Sequence, residues 1–414
     1  MNKNRIEKTL NEINKFGGSG VGINRLAYTE EEQQAKSYFV ELCKKEGMKV
    51  KCDSAGNIIA RREGANPSLP VIAFGSHLDT VYEGGKYDGA VGVVIALEII
   101  RSLNEEELTT EHPLEIISFA GEESARFGYS TIGSKAMAGI VSKECEELKD
   151  NNNIFLKDEL SKYSFNLAGA KRKKEEFKAF FEIHIEQGPI LENENKSIAV
   201  VTGIAGPTRY KLKIEGQASH SGTTPMRYRK DAFLGAAEIA LELETAAKKE
   251  EEHGTVATTG VCEVKPGAMN VVPGSVEMKI DIRGISSESK NRVINQLHAA
   301  IENVENSRNL KTTIEKIADE NPILLNDEVI ESLKDTAENL GYPPLLLPSG
   351  AGHDAMNMAK LCPTGLLFIP SKAGLSHHPQ EYTSLEEIII GAKILKEEVV
   401  KWAKIVEKAG REQS

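Results

Sequence analysis

The sequence predicts an α/β protein: a larger domain with a mixed sheet covered by helices, interrupted by a smaller α+β domain of βαββαβ order. Three observations carry that expectation. The 414 residues exceed the ~250–300 at which a single core stops growing. Short apolar runs alternate with helical stretches over 1–208 and again over 323–414, the pattern of a sheet buried on both faces. Between them, over 209–322, the strands change to apolar–polar alternation, the pattern of strands with one face in water.

Taken in order, residues 1–50 read as helices, with Thr29 placed to cap the stretch that starts Glu30-Glu31-Glu32. Lys49 to Arg61 alternates around Asp53-Ser54-Ala55-Gly56 and predicts a hairpin. Val71 to Gly75 is apolar enough for a buried strand and runs into Ser76-His77-Leu78-Asp79-Thr80. A glycine-rich turn then brings Asp88-Gly89, and Val91 to Ile100 reads as a helix. Leu114 to Ala120 is a second apolar strand, ending in Gly121-Glu122-Glu123. Residues 141–178, with the run KRKKEE, predict a solvated helix-and-loop insertion. Ala179 to Ile185 is a third strand, carrying His184 and leading into Glu186-Gln187-Gly188-Pro189. In the smaller domain, strands are expected at Arg209–Gly216, Thr255–Val264, Ser275–Arg283 and Lys311–Ile317, with helices at Asp231–Lys249 and Ser287–Val304. Thr364 to Ile369 is a fourth buried strand, followed by a loop containing His377-His378.

The composition excludes several classes of function. With 51 Lys and Arg against 62 Asp and Glu, the net charge is −11, which disfavours a nucleic-acid partner. Five scattered cysteines without CxxC spacing argue against a disulfide framework or a cysteine-built zinc site. No apolar run approaches the ~20 residues a membrane helix needs, and the polar start lacks a signal-peptide core, so the expected location is cytoplasmic with no membrane contact.

Each of the four buried strands carries potential metal ligands at or just beyond its carboxyl end, where α/β sheets bind their ligands. Imidazole and carboxylate suit zinc, manganese or cobalt. Taken singly, each residue has an ordinary alternative. His184 could be a buried structural histidine, Glu122-Glu123 an acidic loop, and His377-His378 a surface pair. Together His77, Asp88, Glu123, His184 and His377 offer three imidazoles and two carboxylates, enough for two ions with Asp88 as the shared ligand. Adjacent residues point apart, so one of Glu122 and Glu123 can bind metal while the other serves as general base. Asp79, two residues beyond His77, could orient that imidazole.

The set HLDT, YDGAVGV, GEESARFG, HIEQGPILE, ASHSGTTPM, NVVPG, DIRG, GAGHDAM and SHHPQEYT resembles the amidase/hydantoinase/carbamoylase group of the M20 metallopeptidase-like family. That group holds N-carbamoyl-L-amino acid hydrolases, β-ureidopropionases and allantoate amidohydrolases, and the motifs run in family order from residue 77 to 383. The resemblance implies two divalent ions per subunit (zinc, manganese, cobalt or nickel). His77, Asp88, Glu123, His184 and His377 match the ligands, with Asp88 bridging, and Glu122 matches the general base. His377 fits the His-x-x-x-Glu spacing to Glu381 better than His378 does. Gln187, His220, Asn270, Arg283, Gly350, Gly352 and His353 match positions that hold the substrate, a small carbamoyl or ureido acid. Arg283 can clamp a carboxylate, and His220 and His353 can donate to oxygen as a tetrahedral intermediate forms. Residues 209–322 become the lid and dimerisation domain, and 1–208 with 323–414 the catalytic one. A homodimer is implied.

The expected activity is metal-dependent hydrolysis of a C–N bond outside peptides, with an N-carbamoyl-L-amino acid first and allantoate second. An M20-type aminoacylase or dipeptidase is a third option, disfavoured by the HIEQGP form. A non-catalytic binder on the same scaffold is a fourth, and would show as loss of a ligand or of Glu122; neither is lost.

Overall fold

The computed structural model describes residues 1–18 and 20–406; the last residues of the expected 323–414 segment, 407–414, lie outside them. By Cα proximity the chain divides into two compact units. One comprises Met1–Thr202, Leu325–Leu347 and the chain from Ala351 on, and the other Gly203–Leu324 with Pro348–Gly350.

In the first unit, strands lie side by side in the order Lys49–Cys52, Ile58–Arg62, Leu114–Phe119, Val71–His77, Phe177–Ile185, Thr364–Ile369, Ala199–Ile204. The four from Leu114–Phe119 to Thr364–Ile369 are parallel to one another. Every residue of these four except Lys178 is buried, which is why they read as unbroken apolar runs. Being parallel, they end at the same edge of the sheet. The helix Ala90–Glu105 packs on this sheet with fourteen of its sixteen residues buried, so it shows almost no amphipathic stripe.

The segment 141–178 is not the solvated insertion expected from its charge. Cys145, Leu156, Leu160, Leu167 and Ala170 are buried in one cluster with Tyr28, Phe127 and Ile132. The apolar residues are spaced irregularly through short turns, so no period marks them. Arg172 of the KRKKEE run pairs with Glu115 and Glu176 and lies over the ring of Phe177.

The second unit is a four-stranded antiparallel sheet, ordered Lys311–Asp319, Gly206–Glu215, Ser275–Gly284, Val256–Lys265, with the helices Ala232–Lys249 and Ser287–Arg308 on it. Leu212, Ile214, Met278 and Ile280 on the strands meet Leu243 and Leu297 on the helices. The alternate residues stay wet, as the period-two pattern requires. Two short strands, Ser219–His220 and Val271–Val272, pair as an addition to the βαββαβ order. Among the described residues no helix is long and apolar enough to cross a membrane.

Thr29 accepts from the amide of Glu32 and caps the helix Glu30–Lys45. Glu32 and Lys36, one turn apart inside that helix, form an ion pair of 2.6 Å with both side chains almost wholly buried. Lys36 also donates to the carbonyl of Gly56 at 3.0 Å. Removing one partner strands the other charge in the core. Lys36→Met is therefore expected to cost about 3–5 kcal/mol in a denaturant titration, far more than truncating an exposed lysine.

Candidate metal centre

His77 is the last residue of its strand and His184 the next to last of its own, so the two imidazoles emerge together at the shared edge. Their rings lie 5.7 Å apart and nearly parallel. His77 Nδ1 faces the carbonyl of Asp79 at 3.0 Å, and His184 Nδ1 faces the carbonyl of Ile185 at 2.9 Å. A carbonyl only accepts, so each Nδ1 is the donor and each Nε2 is turned toward the carboxylates.

Asp88 arrives on the glycine-rich turn. Its Oδ1 is 3.4 Å from His77 Nε2 and 3.3 Å from His184 Nε2. Its Oδ2 is 3.6 Å from His377 Nε2, which is itself 3.3 Å from Glu123 Oε1. The turn can come this close only because residue 89 is glycine. A Cβ there would lie 2.3 Å from the His77 ring, and its φ is +62°. Gly89 N–H also donates to His184 Nε2 at 3.1 Å, which calls for a lone pair on that nitrogen.

Glu122 and Glu123 are fixed through their backbone: both amides donate to the carboxylate of Asp79, at 3.2 and 2.9 Å. Asp79, expected to orient His77, meets that ring with two groups. Its Oδ1 stands 3.7 Å from Nδ1, and the carbonyl of Asp79 makes the closer contact. Glu122 Oε2 reaches to 3.8 Å from His77 Nε2. Burial pushes the Glu122 carboxyl well above the usual range; His77 opposes this, while Glu123, Asp354 and Asp79 add to it. Burial would also raise Asp88, but His184 and His77 hold it well below the ordinary carboxylate value.

Two groups of three donors result, His77–Asp88–His184 and Asp88–Glu123–His377, and within each the ligand atoms lie within 4.8 Å of one another. The residues fit a pair of divalent ions. The donors are nitrogen and carboxylate oxygen, two imidazoles are oriented by carbonyls, and one carboxylate gives an oxygen to each group. His378 belongs to neither group; it is exposed and accepts from the amide of Gln380.

Gln187 donates its side-chain amide to Asp88 Oδ2 at 2.7 Å, while its Oε1 is buried without a hydrogen-bond partner among the described residues. His353 packs edge-on against His184 at 4.7 Å, and burial above all holds it well below its usual range, hence neutral. Gly350 and Gly352 are not needed for room. A Cβ at Gly350 would meet nothing within 4 Å, and one at Gly352 only Met356 at 3.7 Å.

The remaining expected residues lie in the second unit. His220 Nδ1 accepts from the amides of Gly222 and Thr223, at 3.0 and 3.3 Å, which leaves its proton on Nε2. The backbone carbonyl of Asn270 accepts from Ser221 N–H at 3.0 Å. Arg283 is bidentate on Asp281 at 2.9 and 3.0 Å and donates to the Gly350 carbonyl at 2.9 Å.

Two contributors escaped the residue reading. Ser376 Oγ lies 2.6 Å from Asp88 Oδ2 and 3.2 Å from Glu381 Oε2. Glu381, known only as a spacing marker, accepts from the amides of Tyr87 and Asp88 at 2.8 and 3.0 Å. The adjacency of Ser376 to His377 was the one available signal.

Residues 73–400 match the sequence model of peptidase family M20/M25/M40. The chain is 45% identical to an uncharacterised hydrolase of Haemophilus influenzae, covering 98% of this chain and 99% of that protein. It is 38% identical to an N-carbamoyl-L-amino acid amidohydrolase of Geobacillus stearothermophilus, over 94% and 96% of the two chains. An allantoate amidohydrolase of Bacillus subtilis is similar at 33%, over 97% of this chain and 98% of that one. A ureidoglycolate hydrolase of Arabidopsis thaliana is similar at 37%, over 94% of this chain and 84% of that one. Among solved structures, an amidase of the hydantoinase/carbamoylase family from Burkholderia multivorans superposes with a TM-score of 0.92 at 33% identity, over 97% and 98% of the chains.

The hydrogen bond to Glu123 raises His377 to about 9 against the opposing effect of burial, so its ring is charged at neutral pH. An ion that takes its Nε2 must displace that proton. Metal uptake at neutral pH is therefore expected to release protons, and affinity to fall as pH drops below about 9. Calorimetric titration in buffers of different ionisation heat reads both; heats independent of the buffer would count against it.

Proposed function

The chain belongs to peptidase family M20/M25/M40, and from that premise we propose that it is a binuclear metal-dependent N-carbamoyl-L-amino acid hydrolase. It acts as a hydrolase of C–N amide bonds, as its relatives' names also describe. The observation that carries the finer reading is the carboxylate of Asp88, which gives one oxygen to each of two donor groups with Glu122 beside them.

Two divalent ions held by His77, Asp88, Glu123, His184 and His377 would polarise the scissile carbonyl and acidify the attacking water. Glu122, its proton affinity raised by burial, takes the proton of that water as it adds to the carbamoyl carbon. The same carboxyl then delivers the proton to the departing nitrogen. Addition of one water to the carbamoyl group yields the free amino acid, carbon dioxide and ammonia. His220, with its proton on Nε2, and neutral His353 are suited to donate to the developing oxyanion. The vacant acceptor Oε1 of Gln187 suits a ureido N–H. Arg283 would take the substrate carboxylate in place of a share of its bond to Asp281. Within this proposal 209–322 acts as lid and dimerisation domain of a homodimer. The greater identity to the carbamoyl-amino-acid enzyme, 38% against 33% for the allantoate enzyme, supports the order of candidates.

The direct test is ammonia release by metal-stripped protein resupplied with manganese, cobalt or zinc. N-carbamoyl-L-amino acids, allantoate and ureidoglycolate would be compared side by side. The carbamoyl substrates should show the highest kcat/KM; faster turnover of allantoate would replace the assignment. Glu122→Gln should keep its metal and lose roughly 10²–10⁴-fold in kcat, and near wild-type turnover would remove Glu122 as the base. Arg283→Leu should raise KM for carboxylate-bearing substrates on the order of tenfold, with a smaller change in kcat.

A further inference from the structure

The two donor groups that share Asp88 are built differently, and we infer that they hold their ions unequally, the inner one permanently and the outer one exchangeably. This rests on the binuclear reading above and adds a separate behaviour for each half.

The inner group, His77–Asp88–His184, is buried at all three positions. Both imidazoles stand at strand ends, and both are locked by carbonyls behind them. A ligand set that cannot swing away and excludes water releases its ion slowly. The outer group, Asp88–Glu123–His377, opens to solvent at His377, whose side chain is 49% exposed. That residue sits in a loop at φ +55°, and no carbonyl holds its Nδ1 among the described residues. The shared oxygen on this side is also contested. Ser376 and Gln187 both donate to Asp88 Oδ2, whereas among the described residues Oδ1 meets the two imidazoles and no donor besides, the one competing hydrogen bond of the inner group being that of Gly89 N–H on His184 Nε2.

Ser376 makes the exchange reversible. Its hydroxyl has a single hydrogen and two acceptors in range, Asp88 Oδ2 and Glu381 Oε2. When an ion takes Oδ2, the hydroxyl can turn to Glu381 and leave no buried donor unpaired. When the ion leaves, it turns back. The donor chemistry separates the halves further. Two imidazoles and one carboxylate favour zinc, cobalt or nickel, while two carboxylates and one imidazole accept a harder ion such as manganese. Occupancy of the outer half, and with it turnover, would then follow the free divalent ion supply.

The test needs no substrate. The full chain is stripped with chelator, saturated with Mn²⁺ or with Zn²⁺, passed through a desalting column and analysed for metal per chain, with calorimetric titration in parallel. The expected result is two ions at saturation, one retained after desalting, and two titration steps separated by at least about tenfold. His377→Ala, in an exposed loop, should abolish the weaker step and keep the retained ion, and Ser376→Ala should move the weaker step alone. Two equal steps, two retained ions, or loss of the retained ion in His377→Ala would overturn this inference and leave the binuclear reading standing. Fewer than two ions at saturation would overturn both.

Discussion

Everything in the centre depends on where one side chain can be put. Asp88 must bring two oxygens into a space bounded by three imidazoles, and it stands on a turn with no side chain of its own at the next position. The peptide passes over the His77 ring at a distance that leaves no room for a Cβ. Glu381 holds the turn from the other side by accepting both the Tyr87 and Asp88 amides. The parallel sheet supplies the rest. Because its four inner strands end at one edge, residues more than a hundred positions apart, His77 and His184, come to face the same carboxylate oxygen.

Glu122 and Glu123 show how backbone geometry sends neighbouring carboxyls in different directions. Asp79 receives both of their amides, which sets the chain direction and sends the side chains apart, one toward His77 and the other toward His377. Burial then keeps Glu122 inclined to hold a proton, while Asp88, between two imidazoles, stays ionised. Two carboxyls in one pocket are thus suited to opposite parts, an acid–base group and a permanent anion.

Much of this was legible because the physics leaves a trace in the letters. A strand covered on both faces must be apolar throughout, so Val71–His77 and Thr364–Ile369 stand out, and a polar ligand at the end of such a run is conspicuous. The alternating strands of the second unit are equally plain, as in Gly206–Glu215. What escaped is what the backbone does. The carbonyl of Asp79 on His77 and the amides on Glu381 involve groups every residue owns, so no residue type announces them. Ser376 looks like any loop serine until its hydroxyl is seen between two carboxylates. The buried face of 141–178 was missed for a related reason: its apolar residues are set by short turns, which impose no period.

The absence of a side chain at residue 89 also bears on what can change in this chain. A position that tolerates no added atom holds the turn to one path, and remodelling that turn would move both oxygens of Asp88 away from the three imidazoles. The Arg283 guanidinium and the His220 ring are held by Asp281 and by the amides of Gly222 and Thr223 in the second unit, so a change there leaves that turn as it is. A single hydrogen atom in place of a methyl thus decides where both oxygens of one carboxylate can stand.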